Sequence, residues 1–519
     1  MMQSTRKKWL FLAVIAAMAA TSYAEVTLPD VFASGMVLQR EVPVAVWGFA
    51  NPGETVRVAI ADASAEAVAD TNGAWRVDLP AMPAGGPHTM TVAGENTVQL
   101  KDVLVGEVWL CSGQSNMSHP IKFYDIHPGV KEDIAAADFP TLRLYCKQTG
   151  HRWAPCSPAT LPDFSAVPFY FGRELLRELD VPVGLVVCAQ IGSAIEQWIP
   201  MDEIEKSDWG RKMIEVQASE AFKAAQLELR RENEAWTKKR QMWEMSVAVG
   251  MEDSGQVPLR KPVPALIARN QRQLGNLFSS SLAPVIPYSV RGFAWYQGEA
   301  NVGDADYAEK LELMVATWRR LWGRGAIPFH SVQIAPCGYK ADFFVLPDFW
   351  EQQMRAAKAM GVSWVVPSID IGEPTFNIHP PNKREFGRRL ARSALANTYG
   401  RKDVAWSGPV FKSAAREGSA LRLQFHHADG GLAASDGQPL AWFEVAGKDG
   451  KFASASAMIE GDAVVVSGAP AIAEPVAVRY AWRQTPGYTA GVFGPTGPVP
   501  NLVNSAGLPA YPFQTSLSH

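Results

Sequence analysis

The sequence predicts an α/β fold in which a helix-covered parallel sheet stands between an N-terminal β-sandwich and a C-terminal β-rich domain. Two observations predict the centre. From residue 102 onward short apolar runs recur, namely VLVGEVWLC (103–111), TLRLYC (141–146), VGLVVCA (183–189), VRGFAWYQ (290–297), FHSVQIA (329–335) and SWVVPSID (363–370). Helical stretches separate them. Runs apolar on both faces and joined by long crossovers point to parallel strands, because antiparallel neighbours are joined by short turns. The third observation is size: 519 residues, 47% hydrophobic and 19% charged, are too many for one core, so two to four domains are expected.

Each flank has its own texture. Between Val26 and Lys101 the β-rich runs VAVWGFA (44–50), TVRVAI (55–60) and AWRVDL (74–79) are separated by Asn51-Pro52-Gly53 and Asn72-Gly73. That spacing reads as a small antiparallel sandwich. Inside the central part, the segment near 203–247 is charged and rich in helix formers, and it reads as a surface helical insertion. After His379, Pro380-Pro381 precede NKREFGRRLARSALANTYG, a cationic amphipathic helix ending at Gly400. Beyond Ala405 the β pattern resumes with ALRLQFHH, AWFEVAG and AVVVSG. The expected division is 25–101, 102–404 and 405–519.

The start of the chain bears on compartment. Arg6-Lys7-Lys8 precede the apolar run Trp9 to Ala20, and Ser22-Tyr23-Ala24 offers a small-x-small cleavage site. A signal peptide over 1–24 is expected, hence an exported protein, periplasmic or extracellular, with no membrane association after cleavage. The net charge of −3 and the scattered basic residues argue against a nucleic-acid partner and favour a neutral or weakly charged substrate. Oligomeric state is not legible. The five cysteines form no C-x-x-C pair, which argues against a zinc knuckle and a disulfide framework. Cys111, Cys146 and Cys188 sit in apolar runs and read as small buried hydrophobes. Cys146 with Cys156 is the pair that an oxidising compartment could bridge.

In open parallel sheets ligands bind at the carboxyl ends of strands, so polar residues just after apolar runs are the first candidates. Ser115, in Gly113-Gln114-Ser115-Asn116-Met117, stands at a tight strand-to-helix turn where a hydroxyl can be presented beside its own backbone N–H. The position of Met117 departs from a G-x-S-x-G elbow, and by spacing alone the serine reads first as a helix cap. Gly192, after VGLVVCAQ, can offer its N–H without steric bulk, or simply turn the chain. Gln297, Glu299 and Asn301 crowd the end of a third run, as an active cluster or a capping loop. Asp370, Glu373, Asn377 and His379 follow the last run. Histidine is the side chain whose ordinary pKa suits a general base, although a histidine beside a helix start is also a common structural feature.

Together VGEVWLCSGQSNM, WYQGEANV, NIHPPNKREFGRRLA and NLVNSAGLPAYPFQTS resemble the sialate O-acetylesterase family, a branch of the SGNH (GDSL-like) hydrolases. The resemblance runs from about Leu28 to the end. It implies a three-layer α/β/α catalytic domain and release of acetate from an O-acetylated sugar. It also implies Ser115 as nucleophile, His379 as general base, and the N–H groups of Ser115 and Gly192 with the Gln297 side chain as oxyanion donors. No metal or other cofactor is expected, because no ligand-spaced His/Asp/Glu cluster accompanies these residues. Two positions depart from the family pattern. Phe376 stands where many SGNH enzymes carry an Asp three residues before the His, leaving Asp370, Glu373, Asn377 or a main-chain carbonyl to orient His379. Ser118-His119 stands where an acidic and an aromatic residue are expected, which puts substrate choice in doubt. The leading expectation is sialic acid O-deacetylation. The alternatives are acetylated xylan or other plant or mucin glycans, and a non-catalytic glycan-binding protein.

Overall fold

Seven strands precede the first candidate residue: β1 (Val37–Gln39), β2 (Val44–Phe49), β3 (Thr55–Ile60), β4 (Ala63–Val68), β5 (Ala74–Leu79), β6 (Gly85–Ala93) and β7 (Thr97–Gly113). In this computed structural model the described residues are 25–517 except 148–149, 249–255, 257, 260, 262, 265, 268–271, 340–341, 343, 373–376, 429, 468–471 and 489–494. The leader expected over 1–24, Glu373 and Phe376 therefore lie outside them. β4, β3, β6 and the start of β7 form one antiparallel sheet, and β2 pairs with β5 in another. In β3 the alternation TVRVAI exposes Thr55 and Arg57 and buries Val56 and Val58, as a half-buried strand requires.

β7 joins this β layer to the central sheet. Its first residues are largely exposed, and from Val103 to Gly113 every residue is buried. The expected boundary at 101/102 thus falls inside one continuous strand of 17 residues, where Asp102 adopts a φ of +56°. The remaining central strands are β8 (Phe139–Cys146), β9 (His151–Cys156), β10 (Val183–Ala189), β11 (Gly292–Tyr296), β12 (Phe329–Val332) and β13 (Ser363–Val366). Their order is β13-β12-β11-β7-β10-β8-β9. The neighbours are parallel except β8 and β9, which form a hairpin. The sheet is therefore mixed, and β9 is the strand that the apolar runs did not announce, since HRWAPC carries two basic or polar positions and a proline.

Besides a short helix over Val130–Ala135, the helices that flank the sheet and the site are α1 (Ser115–Ser118), α2 (Ala166–Leu179), α3 (Met201–Lys206), α4 (Asp208–Ala218), α5 (Glu220–Ala248), α6 (Tyr307–Trp322), α7 (Val345–Met360) and α8 (Lys383–Asn397). They cover both sheet faces. On one face Phe171 of α2 meets Trp109 at 5.1 Å and Phe386 of α8 meets Tyr296 at 5.2 Å. On the other, Trp318 of α6 packs edge-on against Phe293 at 5.6 Å and Trp295 at 5.7 Å. The charged segment near 203–247 is helical, and Phe222 is the buried residue of the 29-residue α5.

The N-terminal β layer and the α/β part share one hydrophobic core. Strands between Val410 and Ser516 close around a second core that includes Leu421, Leu423, Val464, Val478 and Tyr480. All five cysteines are buried thiols. Cys146 pairs in register with His151 and Cys156 with Phe139, at opposite ends of the β8–β9 hairpin, which corrects the proposed bridge.

Candidate active site

Three neighbouring strands deliver the first three candidates to one edge. In register, Gly113 of β7 stands between Ala189 of β10 and Tyr296 of β11. Ser115, Gly192 and Gln297 follow those strand ends. Gly113 has φ +141°, and a Cβ there would lie 2.2 Å from the Tyr296 carbonyl oxygen, so only glycine permits this approach. Gln114 ties the turns together, its Oε1 accepting from the N–H groups of Gly298 at 3.5 Å and Ala300 at 3.3 Å.

Ser115 is the first residue of α1, and Gln114, with extended backbone, holds the cap position. The helix-cap reading of Ser115 is thereby corrected. Its hydroxyl instead lies 2.7 Å from His379 Nε2. His379 arrives from the loop between β13 and α8, and Asn382 caps that helix by accepting from the Glu385 N–H at 3.2 Å. Burial, followed by the nearby Lys383 cation, lowers the His379 pKa to about 4. The imidazole is neutral at pH 7, and with Nε2 as acceptor it can take a proton from Ser115.

The orienting candidates divide. Asp370 is gripped by Arg389 through Nη1–Oδ1 at 2.7 Å and Nη2–Oδ2 at 2.6 Å, so its carboxylate is committed to an ion pair. Asn377 accepts the His379 backbone N–H at 2.9 Å and shapes the main chain rather than the ring. His379 Nδ1 has no hydrogen-bond partner among the described residues.

Gly192 is exposed at φ +70° with open space beside it. Its loop is tied back to β7, since the Gln190 N–H donates to the Gly113 carbonyl at 3.0 Å and Ser193 Oγ donates to the same oxygen at 3.3 Å. Gln297 is fully buried and both its amide hydrogens are engaged, with Ser193 O at 3.2 Å and Asn301 Oδ1 at 2.7 Å. In this arrangement Gln297 holds the Gly192–Ser193 loop and does not point a free donor at Ser115. Asn301 belongs to the same support, reaching Glu196, which is also bound by Lys310 and Arg272.

Sequence reasoning missed Lys383 and gave no role to Asn116 or Glu299. Asn116 Nδ2 donates to Glu299 Oε1 at 2.5 Å and to the Ile378 carbonyl at 2.8 Å, while Lys383 Nζ donates to Asn116 Oδ1. Lys383 is 1% exposed, and burial, partly offset by Glu299, pulls its pKa down to about 7. Glu299 is 8% exposed, and burial pushes its pKa up to about 7, against its own backbone N–H, the Asn116 bond, the Lys383 charge and the Gly298 N–H. One signal was available. Lys383 opens α8, and a cation at the positive end of a helix dipole opposes the usual preference.

His119 lies beside the pair, its ring centroid 4.4 Å from that of His379 and its Nδ1 2.9 Å from the Tyr124 hydroxyl. Burial, then His379 and Lys383, lower its pKa to about 4. A cavity of about 410 Å³ opens here, lined by His119, Phe123, Tyr124, Ile126, His127, Pro128, Asn377, His379 and Pro381.

Comparison with known proteins gives this geometry its class. The family model described as "Carbohydrate esterase, sialic acid-specific acetylesterase" matches residues 105–228, the stretch that carries Ser115 and Gly192. A carbohydrate acetylesterase from Xanthomonas citri superposes with a TM-score of 0.75 at 31% identity, covering 95% of this chain and 99% of its own. The mouse (Mus musculus) sialate O-acetylesterase is 27% identical over 428 residues, 73% of this chain and 74% of the relative. The human (Homo sapiens) enzyme of that name is 26% identical over 437 residues, 72% and 71% of the two chains. Fold, site and relatives define a carboxylic ester hydrolase of the carbohydrate esterase class. Within that class, the chain belongs with the carbohydrate acetylesterases, and its residues 105–228 are similar to the sialic acid-specific acetylesterase family.

Proposed function

We propose that the protein hydrolyses O-acetyl esters of sugars through an acetyl-enzyme formed on Ser115, with His379 as general base. The observation that carries this reading is the 2.7 Å contact between Ser115 Oγ and the neutral His379 Nε2 at the end of the central strand. Ser115 Oγ attacks the acetyl carbonyl while His379 takes its proton. The imidazolium returns that proton to the sugar oxygen as the ester bond breaks. Water, deprotonated by His379, then attacks the acetyl group and releases acetate and free Ser115. The backbone N–H groups of Ser115 and Gly192 serve as oxyanion donors, with Gln297 fixing the loop that presents Gly192. Helices α2 and α8 on one face and α6 and α7 on the other support the three-layer SGNH reading of the 102–404 part. The leader-like first 24 residues support export to the periplasm or beyond.

The named relatives favour O-acetylated sialic acid as substrate. The cavity favours a second reading, a neutral acetylated glycan. Its lining of rings, apolar side chains and an amide includes no Lys or Arg among the described residues, while a sialate carboxylate calls for a cation. Acetate release from O-acetylated sialic acid and from acetylated xylan separates the two. A preference for the sialate retains the first reading, and a preference for the xylan installs the second. Hydrolysis of no acetate ester, aryl acetates included, would leave a glycan-binding protein.

A further inference from the structure

We propose that Asn116, Lys383 and Glu299 are a positioning unit for the general base, locking the Asn116 amide so that it clamps the Ile378 carbonyl, and with it His379, onto the turn that carries Ser115. The proposal rests on the Ser115–His379 reading and adds residues that touch neither substrate nor reacting atoms.

Adjacency is the first part of the argument. Asn116 directly follows Ser115 and Ile378 directly precedes His379, so the 2.8 Å bond from Asn116 Nδ2 to Ile378 O ties together the neighbours of both reacting residues. The second part is orientation. An amide has a donor end and an acceptor end of similar shape, and only its partners choose between them. Here the acceptor end meets the Lys383 ammonium, and the donor end meets Glu299 Oε1 and the Ile378 carbonyl. With Lys383 charged, a half-turn of the amide would set N–H against ammonium and oxygen against the Ile378 carbonyl, making both contacts repulsive in a buried site.

The third part is the isolation of the charges. Lys383 Nζ lies 4.9 Å from the Tyr124 ring centre, 5.6 Å from that of Phe386 and 5.9 Å from that of Tyr296, so rings surround the cation. Among the described residues Asn116 Oδ1 is its hydrogen-bond acceptor, and Glu299 Oε2 and the Tyr296 hydroxyl are buried without partners. A lysine and a carboxylate held so sparsely in the interior are costly for stability alone. The same cation faces His379, which also has His119 beside it, so Lys383 helps to keep the imidazole unprotonated. Tyr124, Tyr296 and Glu299 are the other titratable groups around Lys383.

The test measures kcat, KM and pH profiles with 4-nitrophenyl acetate, alongside thermal melting, for the full chain and its variants. Asn116→Asp is isosteric and places an oxygen where the clamp needs a donor. It is expected to lower kcat more than about ten-fold with KM within about three-fold. Lys383→Met is expected to lower kcat and to move the acid limb of kcat/KM to higher pH. Glu299→Leu is expected to lose kcat, and Glu299→Gln, which restores an acceptor, to recover most of it. A folded Asn116→Asp protein with less than about ten-fold loss, or with its loss in KM, overturns the proposal. So does an unmoved acid limb in folded Lys383→Met; if that variant does not fold, Asn116→Asp decides. An inactive wild type, or an active Ser115→Ala variant, instead sinks the underlying Ser115–His379 reading.

Discussion

Two buried carboxylates mark opposite ends of the same sheet and are treated in opposite ways. Glu107, where the buried part of β7 begins to pair with β10, is fully buried and receives Arg40 Nε at 2.6 Å, Arg291 Nε at 2.8 Å, Gln39 Nε2 at 3.1 Å and the Tyr399 hydroxyl at 3.0 Å. Burial alone would raise its pKa, yet Arg291, Arg40 and Gln39 together hold it below the ordinary value. Glu299, just past β11 at the edge that carries Ser115, has the Asn116 amide as its side-chain donor and one oxygen without a partner, and its pKa rises to about 7. At one end every lone pair is used and the ion cluster fastens β1, β7 and the loops beside them. At the other, charge is left underpaired. The lesson is that unsatisfied electrostatics in a well-packed fold points to where chemistry is done.

Breaking each end in turn should separate activity from stability. The largest effect is expected from Ser115→Ala, which should reduce acetate release at least about 10⁴-fold while circular dichroism and melting stay close to wild type. At the far end, Glu107→Ala strands two arginines and should cost about 3–5 kcal/mol of stability in denaturant titration, with turnover per folded molecule near wild type. A loss of turnover at full stability would erase the contrast between the two ends.

The pH dependence sharpens the comparison next. With His379 at about 4 instead of the ordinary 6.5, about nine-tenths of the base is unprotonated at pH 5, where an ordinary histidine would retain about 3%. kcat/KM for an aryl acetate should therefore hold from pH 7 to pH 5 and fall ten-fold per unit below about 4. An acid limb near 6.5 would contradict the burial and Lys383 effects. The smallest change is expected from Glu299→Gln, whose stability at pH 5 should lie within about 1 kcal/mol of wild type. The signs then diverge. Glu107, with a lowered pKa, contributes stability above its unfolded value that is lost as pH falls through the folded one. Glu299, with a raised pKa, contributes stability below its unfolded value that is lost as pH rises through about 7. Glu299→Gln should accordingly gain on wild type between pH 5 and pH 8 in the same titration.

Much of the fold was legible because burial writes itself into strands. The six apolar runs after residue 102 each overlap a strand of the central sheet, since strands covered on both faces tolerate few polar residues. β9 was not legible, as an edge strand with one partner has no such constraint. The division at 101/102 was visible as a change in texture, but the chain does not break there; β7 passes from a half-exposed sheet into a covered one. At the site, Ser115 and His379 were found as polar residues at strand ends, and the structure brings them to 2.7 Å. Asp370 and Gln297 were found by the same rule, but Arg389 and Asn301 hold them elsewhere.

By itself, then, the sequence determined which segments would be covered strands, where the polar strand ends lay, and which of them offered a hydroxyl and an imidazole. Those properties are local, set by the period and apolarity of a few consecutive residues. Only the tertiary structure decided which polar groups meet, because hydrogen-bond partners such as Asn116 and Lys383 are separated by 267 positions and chosen by packing. It also decided that a lysine at the start of a cationic amphipathic helix is buried among three rings, and that of two buried glutamates one is an anchor and the other an underpaired neighbour of the site.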